Sequence, residues 1–583
     1  MHTNSETEAK RVALLEVGAG IVAVAVVIIA SRQGVFVNAN ALIDDRLFLN
    51  HAIAIAHGQW LGDYNSLTLA KGPFYSIFLA VNYYIGLPVL ISQSLLYLGA
   101  GYLLIKALQN YVKQASVLLG IFCLYAWNPY LFSSTRVIRD PLYTSLTVLV
   151  VAISIGTSNT LLNQSHSHGG LISQKYRPVM WSILLGVTLA CFWMTREEGI
   201  WILPFTLPLL FISGFMFVRR SRQGHPGRQI VRPLLTLAKL LLITGLAFSL
   251  TLGPVFALNA FRYGAPYITE MQGSNFKAAY GALTRVKVDN WHPYLPVPRE
   301  ARQKIYAISP SFKTLEPYLD GPALSPWVNP GCERYYICDD IVGGWFVWAF
   351  KLAVDAAGFY TSPQTASQYF EQLKLEINDA CLSKQLACHR QKKSLAPRFN
   401  VAYFKAFFPA YFRGLKTLIS NDFSLRYNDR PSTGSPEEIS LFEAFLYNRA
   451  NPPESELSLT APGKDVSAKK LDAVAIKPIN LFLLALIFQL YRYAIPFAFG
   501  STVLCLFFKY VVLKKFNFIS CINVLLLATV ACRLAILTLI DISSFKGFTP
   551  LYLMPCSPLL YLFIGLGLYE GLDALKKSQA SRA

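Results

Sequence analysis

Charged side chains are scarce in this 583-residue chain: Asp, Glu, Lys and Arg make up 15% of it, against 54% hydrophobic residues and 14% aromatics. A soluble fold of this length does not need so apolar a composition. Histidine is also sparse, at eight residues, and there is no HExxH motif. A glycine-rich phosphate loop, a GxGxxG after a strand and a GxSxG nucleophile turn are all missing. Their absence removes the usual routes to soluble nucleotides, dinucleotides and serine acyl-enzymes. The formal charge of +20 comes with no RNP-like or zinc-finger pattern, so no nucleic-acid partner is expected. No short-period repeat is apparent.

What the chain does contain is a series of apolar runs of about 20 residues, each long enough to cross a bilayer as a helix and bounded by Lys and Arg. The expected fold class is an α-helical polytopic membrane protein of about ten transmembrane helices. Val12 to Ala30 reads as a retained signal anchor after a short polar N-terminus. Gly72 to Gly86 is too short to span and reads as a juxtamembrane or re-entrant helix. Further spans are expected at Leu87–Leu108, Ala115–Ser133, Leu142–Thr157, Val179–Met194, Ile200–Val218, Leu234–Leu258, Leu481–Val511, Ile519–Ile540 and Leu551–Leu568. The cluster Arg219, Arg220, Arg222, Arg228 and Arg232 then falls on the cytoplasmic side, as do both termini.

Three segments follow from this count. Residues 1–258 form an N-terminal transmembrane module with charged outer loops, 259–477 an extracytoplasmic segment of lower hydropathy, and 478–583 the C-terminal spans. Six cysteines (Cys123, Cys191, Cys505, Cys521, Cys532, Cys556) lie in apolar runs and read as small packing residues. Cys332, Cys338, Cys381 and Cys388 all fall in the outer segment, where disulfides are permitted. Local pairs, Cys332 with Cys338 and Cys381 with Cys388, are expected in preference to a zinc site, whose ligands favour two-residue spacing.

Charge at the edge of a hydrocarbon slab is costly, so the outer loops between spans are where chemistry is sought. The first carries Asp44 and Asp45 ahead of a helical pattern in which Phe48, Ala52 and Ile55 share a face and Gly58 supplies a stop. One carboxylate suffices to cap that helix, which leaves the second unexplained. Lys71, before Gly72-Pro73, is either an interfacial anchor that snorkels or a point charge for a lipid phosphate. Arg136, Arg139 and Asp140 precede Pro141. The arginines run against the positive-inside bias and ask for an anionic partner, whereas Asp140 serves equally as a helix cap. Arg196, Glu197 and Glu198 form a third set, readable as a local ion pair or as substrate contacts. Asp541, Lys546 and Tyr552 form a late loop that could close a cavity or merely decorate the interface.

Taken in order, the acidic pair after span 1, the helix ending His57-Gly-Gln-Trp60, Lys71-Gly-Pro, Arg139-Asp140-Pro141, Thr195-Arg-Glu-Glu-Gly and Leu551-Tyr-Leu-Met-Pro555 resemble membrane glycosyltransferases of the GT-C class. The aminoarabinose transferases and protein O-mannosyltransferase-like proteins of bacteria look most similar. The resemblance covers spans 1 to 7 and, faintly, the last span; residues 259–477 have no counterpart in it. It implies transfer of a sugar from a polyprenyl-phosphate donor to an extracytoplasmic lipid, glycan or protein acceptor, with inversion. It also implies catalytic roles for Asp44, Asp45 and Asp140, phosphate binding by Lys71, Arg136 and Arg139, and a pocket formed by Arg196, Glu197, Glu198, Lys546 and Tyr552. The extra arginines depart from the family pattern and bear on the donor. No cofactor is demanded; a divalent metal is compatible but has no evident ligand set. Two other readings stand beside it: a lipid or glycan transporter or flippase, which predicts charges at mid-bilayer and repeated broken helices, and a non-catalytic assembly protein.

Overall fold

The computed structural model describes residues 2–132, 135–162, 176–223, 231–322, 325–391, 395, 400–421, 431–453 and 478–580. The span end expected at Ser133, most of the loop 159–177, Arg228, Lys477 and Arg582 lie outside the described residues. Among the described residues ten helices are long and apolar enough to cross a membrane. The chain is a polytopic α-helical membrane protein.

The first span is the apolar part of α1 (His2–Ser31). Two short helices follow, α2 (Asp45–Ala56) and α3 (Phe74–Ile85). Leu47, Phe48, Leu49, Ala52 and Ala54 make one buried face of α2, which packs on α3 through an edge-on contact of Phe48 with Tyr75 at 5.0 Å. Gly86, in the left-handed region at φ 73, ends α3 as glycine does at many helix C-termini. The spans α4 (Val89–Leu108), α5 (Ala115–Ala126) with its short continuation α6 (Pro129–Phe132), α7 (Asp140–Leu162), α8 (Arg177–Thr195), α9 (Leu203–Gln223) and α10 (Val231–Tyr263) complete the N-terminal part. The centre of the bundle is α7, in which nearly every residue is buried. Its Thr144, Ser145, Thr147, Thr157 and Ser158 hydroxyls donate to carbonyls four residues earlier, which satisfies them within the helix where no water is at hand.

Beyond α10 the chain builds two packing groups. One, from Phe276 to Leu386, has its own apolar core and includes α11 (Ser274–Leu283), α12 (Gly343–Ala356) and α13 (Pro363–Leu382). Disulfides join Cys332 to Cys338 and Cys381 to Cys388 there. This group docks on the first interspan loop. Ser66 donates to Asp355 at 2.6 Å, and Glu270, whose N–H donates to the Leu69 carbonyl at 2.9 Å, pairs with buried Lys351. In the second group, α14 (Val401–Ser420) and α15 (Pro436–Leu446) instead share the core of the membrane bundle. The spans α16 (Pro478–Phe507), α17 (Phe518–Ser543) and α18 (Ser557–Ala580) close the chain.

Candidate active site

The stretch after α1 is held extended by backbone hydrogen bonds to distant segments. Val35 donates to Arg449 at 2.8 Å, Phe36 to Thr135 at 3.2 Å and Ala39 to Thr433 at 2.8 Å. These fix the first loop against the loop that carries Arg136. Asp44 occupies the N-cap position of α2 but makes no side-chain cap hydrogen bond. Its carboxylate pairs with Lys71 and lies 3.6 Å from Arg136. Asp45, fully buried, accepts from Arg136 Nε at 2.9 Å and Nη2 at 2.6 Å. Both acids are thus spent on cations, Asp44 on Lys71 of its own loop and Asp45 on Arg136 of the next, which sets aside the expectation that one of them caps α2.

Lys71 is buried, its ammonium 5.2 Å from the Phe48 ring centroid and 5.4 Å from that of Trp348. It turns inward instead of snorkelling to a headgroup. Arg139 donates to the Thr195 carbonyl at 2.9 Å and lies 3.6 Å from Glu197, and Glu197 accepts the Gly72 N–H at 3.1 Å. Asp140, the first residue of α7, faces Arg196 at 2.5 Å. Arg196 also reaches Glu198 at 3.0 Å and lies over the rings of Tyr552 and Tyr143 at 5.2 and 5.8 Å. Three interspan loops therefore meet through their charges. Tyr552 joins them; Lys546 does not, for its ammonium lies over Tyr335 at 5.6 Å and its N–H donates to that tyrosine's hydroxyl. Asp541 is likewise apart, held by Arg413 at 2.7 Å.

Electrostatics differ sharply between the two adjacent acids. Although 40% of the Asp44 side chain is open, surrounding protein still desolvates it, which pushes its pKa up; Lys71, Arg136 and Arg139 outweigh that push and hold the carboxyl well below the usual range. Asp45 has no such surplus of cations. Burial raises it to about 6, only partly opposed by Arg136, and the charge on Asp44 adds to the rise. Burial also pulls Lys71 down, with Asp44 opposing and Arg139 and Arg196 adding to the fall. Glu198 is held at about 2 because Arg196, Arg533 and Arg139 together override the effect of burial.

Two participants went unread in the sequence. Arg533 of α17 is fully buried, 3.5 Å from Glu198 and 5.3 Å from the Trp201 ring. A lone arginine inside an apolar run was the available signal. Trp348 of α12 arrives from nearly three hundred residues beyond Lys71, and no local pattern announces it. Among the described residues no three His, Cys, Asp or Glu side chains gather as a metal-ligand set.

No family model matches the chain, and no curated protein matches it. Comparison with solved structures finds ArnT from Cupriavidus metallidurans in the apo state, at 12% identity over 97% of this chain and 78% of that one, with a TM-score of 0.28. The same protein bound to undecaprenyl phosphate matches at 13% identity over 97% and 77%, with a TM-score of 0.26. The archaeal oligosaccharyltransferase AglB from Archaeoglobus fulgidus, in complex with an inhibitory peptide and a dolichol-phosphate, matches at 12% identity over 75% and 64%, with a TM-score of 0.25.

Proposed function

We propose that this protein is an integral-membrane glycosyltransferase that moves a sugar from a polyprenyl-phosphate donor to an acceptor on the membrane face carrying the charged loops, with inversion at the anomeric carbon. The observation that carries this reading is the pairing of Lys71 and Arg136 with Asp44 and Asp45, beside the pairs Arg139 with Glu197 and Arg196 with Asp140, drawn from three interspan loops at the ends of apolar helices. A lipid-borne phosphate needs cations at that depth. An attacking hydroxyl needs a carboxylate beside them.

Lys71 is engaged by Asp44. A donor phosphate competes for that ammonium, and once Lys71 turns to phosphate the influence that most depresses the Asp44 carboxyl is weakened while its desolvation remains. Binding the donor therefore raises the basicity of Asp44 toward what a proton acceptor requires. Asp44 then accepts the proton of the acceptor hydroxyl as its oxygen attacks the anomeric carbon from the face opposite the phosphate. Lys71, with Arg136 or Arg139, stabilises the charge growing on the departing phosphate. An oxocarbenium-like sugar lies between the two, as in glycoside cleavage. Asp45 keeps Arg136 in place, and Arg196 does the same for Asp140.

The assignment of residues 259–477 to the extracytoplasmic side and of both termini to the cytoplasm belongs to this proposal, as does acceptor selection by the Phe276–Leu386 group that docks on the first loop. The test is turnover of labelled polyprenyl-phosphate sugars by purified wild type, Asp44→Asn and Lys71→Gln. Loss of transfer in Asp44→Asn with retained folding is expected. Equal turnover in wild type and Asp44→Asn would remove Asp44 from the mechanism.

A further inference from the structure

One helix outside the ten spans presents an apolar face that, among the described residues, nothing covers. In α14, Val401, Phe404, Phe408 and Phe412 are 63%, 62%, 54% and 61% exposed. Spaced three, four and four residues apart, they form one ridge along a helix of 3.6 residues per turn. The opposite side holds Ala410, Gly414 and Leu418, all buried. Gly414 lies so close to Phe548 that a Cβ there would fall 2.2 Å from its ring. Along the edge of the ridge stand Lys405, Arg413 and Lys416, and there is no Asp or Glu between Val401 and Ser420.

The neighbours of α14 say what lies against that ridge. Arg413 pairs with Asp541 near the end of α17. The hydroxyl of Tyr130, in α6, donates to the Thr417 and Leu418 carbonyls at 3.4 and 3.3 Å, and Tyr561 of α18 donates to Asn421 at 2.7 Å. Tyr411, Leu415 and Ile419 pack into the core of the membrane bundle. The helix therefore packs against three spans. The neighbouring span α16 carries exposed apolar side chains of its own, Phe482, Leu486, Leu490, Tyr493 and Phe497.

We infer that α14 is a lipid-docking helix: its phenylalanine ridge sits in the acyl boundary of the leaflet nearest the charged cluster, and its basic edge takes anionic phospholipid headgroups. An apolar face beside a purely cationic edge is the pattern of helices that lie in the interface plane. The partner is the bilayer itself, and the contact is independent of any transfer reaction.

The test uses the full-length protein in phosphatidylcholine nanodiscs with phosphatidylglycerol as a minor component. A photoreactive benzoylphenylalanine replaces Phe408, whose exposure leaves the packing intact, and a second preparation carries it at the exposed Leu382 of α13 as a control. After irradiation the adducts are identified by mass spectrometry. Position 408 is expected to capture lipid and position 382 to capture none, with phosphatidylglycerol enriched about fivefold over its share at position 408. Lys405→Gln with Lys416→Gln should return that enrichment to the bulk share while the lipid adduct persists. Adducts at position 408 to a second copy of the chain, or none to lipid, would overturn the docking. Enrichment unchanged by the lysine substitutions would overturn the role of the basic edge.

Discussion

Gly72 is the sharpest point at which sequence, packing and proposed chemistry meet. A Cβ built there lies 1.9 Å from the Met194 carbonyl oxygen and 2.8 Å from its carbon, whereas ordinary contact begins at 3.4 Å. Both obstacles are backbone at the end of α8, so no side chain can swing away. Gly72→Ala must therefore open a gap of about 1.5 Å between the first and third loops. The hydrogen bond from Gly72 N–H to Glu197, now 3.1 Å, cannot survive that opening, and Lys71 is carried away from Arg139 and Arg196. Overpacking of this kind costs about 1–3 kcal/mol of stability, which still leaves a folded protein. A misplacement of about 1 Å in a reacting array costs on the order of 100-fold in rate. The assay is the initial rate of sugar transfer alongside thermal unfolding, with Gly99→Ala in α4 as control because nothing lies within 4 Å of its Cβ. Gly99→Ala should match wild type, and Gly72→Ala should lose about two orders of magnitude. If Gly72→Ala turns over within about twofold of wild type, the claim that these loops must touch is wrong.

Asp45 predicts opposite effects of acid on activity and stability. Its folded pKa of about 6 is raised from 3.8, so the stability it contributes is present below the unfolded value and lost as pH rises through about 6, a difference of about 3 kcal/mol. Moving from pH 7 to pH 5 should therefore relieve a little under half of that cost while removing the charge that holds Arg136, and transfer should fall with a midpoint near 6 that Asp45→Asn lacks. Arg533→Met should destabilise by about 1–3 kcal/mol, since Glu198 loses one of its two nearby cations and keeps Arg196 at 3.0 Å. Adding Glu198→Gln should recover part of that loss in a double-mutant cycle read by chemical denaturation. Each disulfide closes a short loop, and Cys332→Ser with Cys338→Ser, or Cys381→Ser with Cys388→Ser, should cost about 2 kcal/mol. Proteolysis should find the loss confined to the Phe276–Leu386 group.

The spans were legible because a hydrocarbon slab demands unbroken apolar length. Phe482–Val512, for example, falls within a residue of the run read from sequence. The charged loops were legible for the converse reason, since Asp44, Arg139 and Glu198 stand out where charge is expensive. Partnership was not. Whether Asp44 caps α2 or pairs with Lys71 depends on a fold-back of 27 residues, and Arg136 chooses Asp45 across 91. Lys546 and Tyr552 share one late loop, yet six residues are enough to aim them in different directions, Lys546 to Tyr335 and Tyr552 to Arg196. The segment from 259 to 477 was read as one unit because its hydropathy is uniformly lower. Its division appears only in three dimensions, where α14 and α15 join the membrane core.

Transfer requires Lys71 to exchange Asp44 for a lipid phosphate, and the most direct measurement is an experimental structure of the protein with a short-chain polyprenyl monophosphate bound. The predicted result is a phosphate oxygen within about 3 Å of the Lys71 ammonium, with Arg136 or Arg139 on the same phosphate and Asp44 released to face the space beside it. A phosphate held elsewhere, with Lys71 still paired to Asp44, would contradict it.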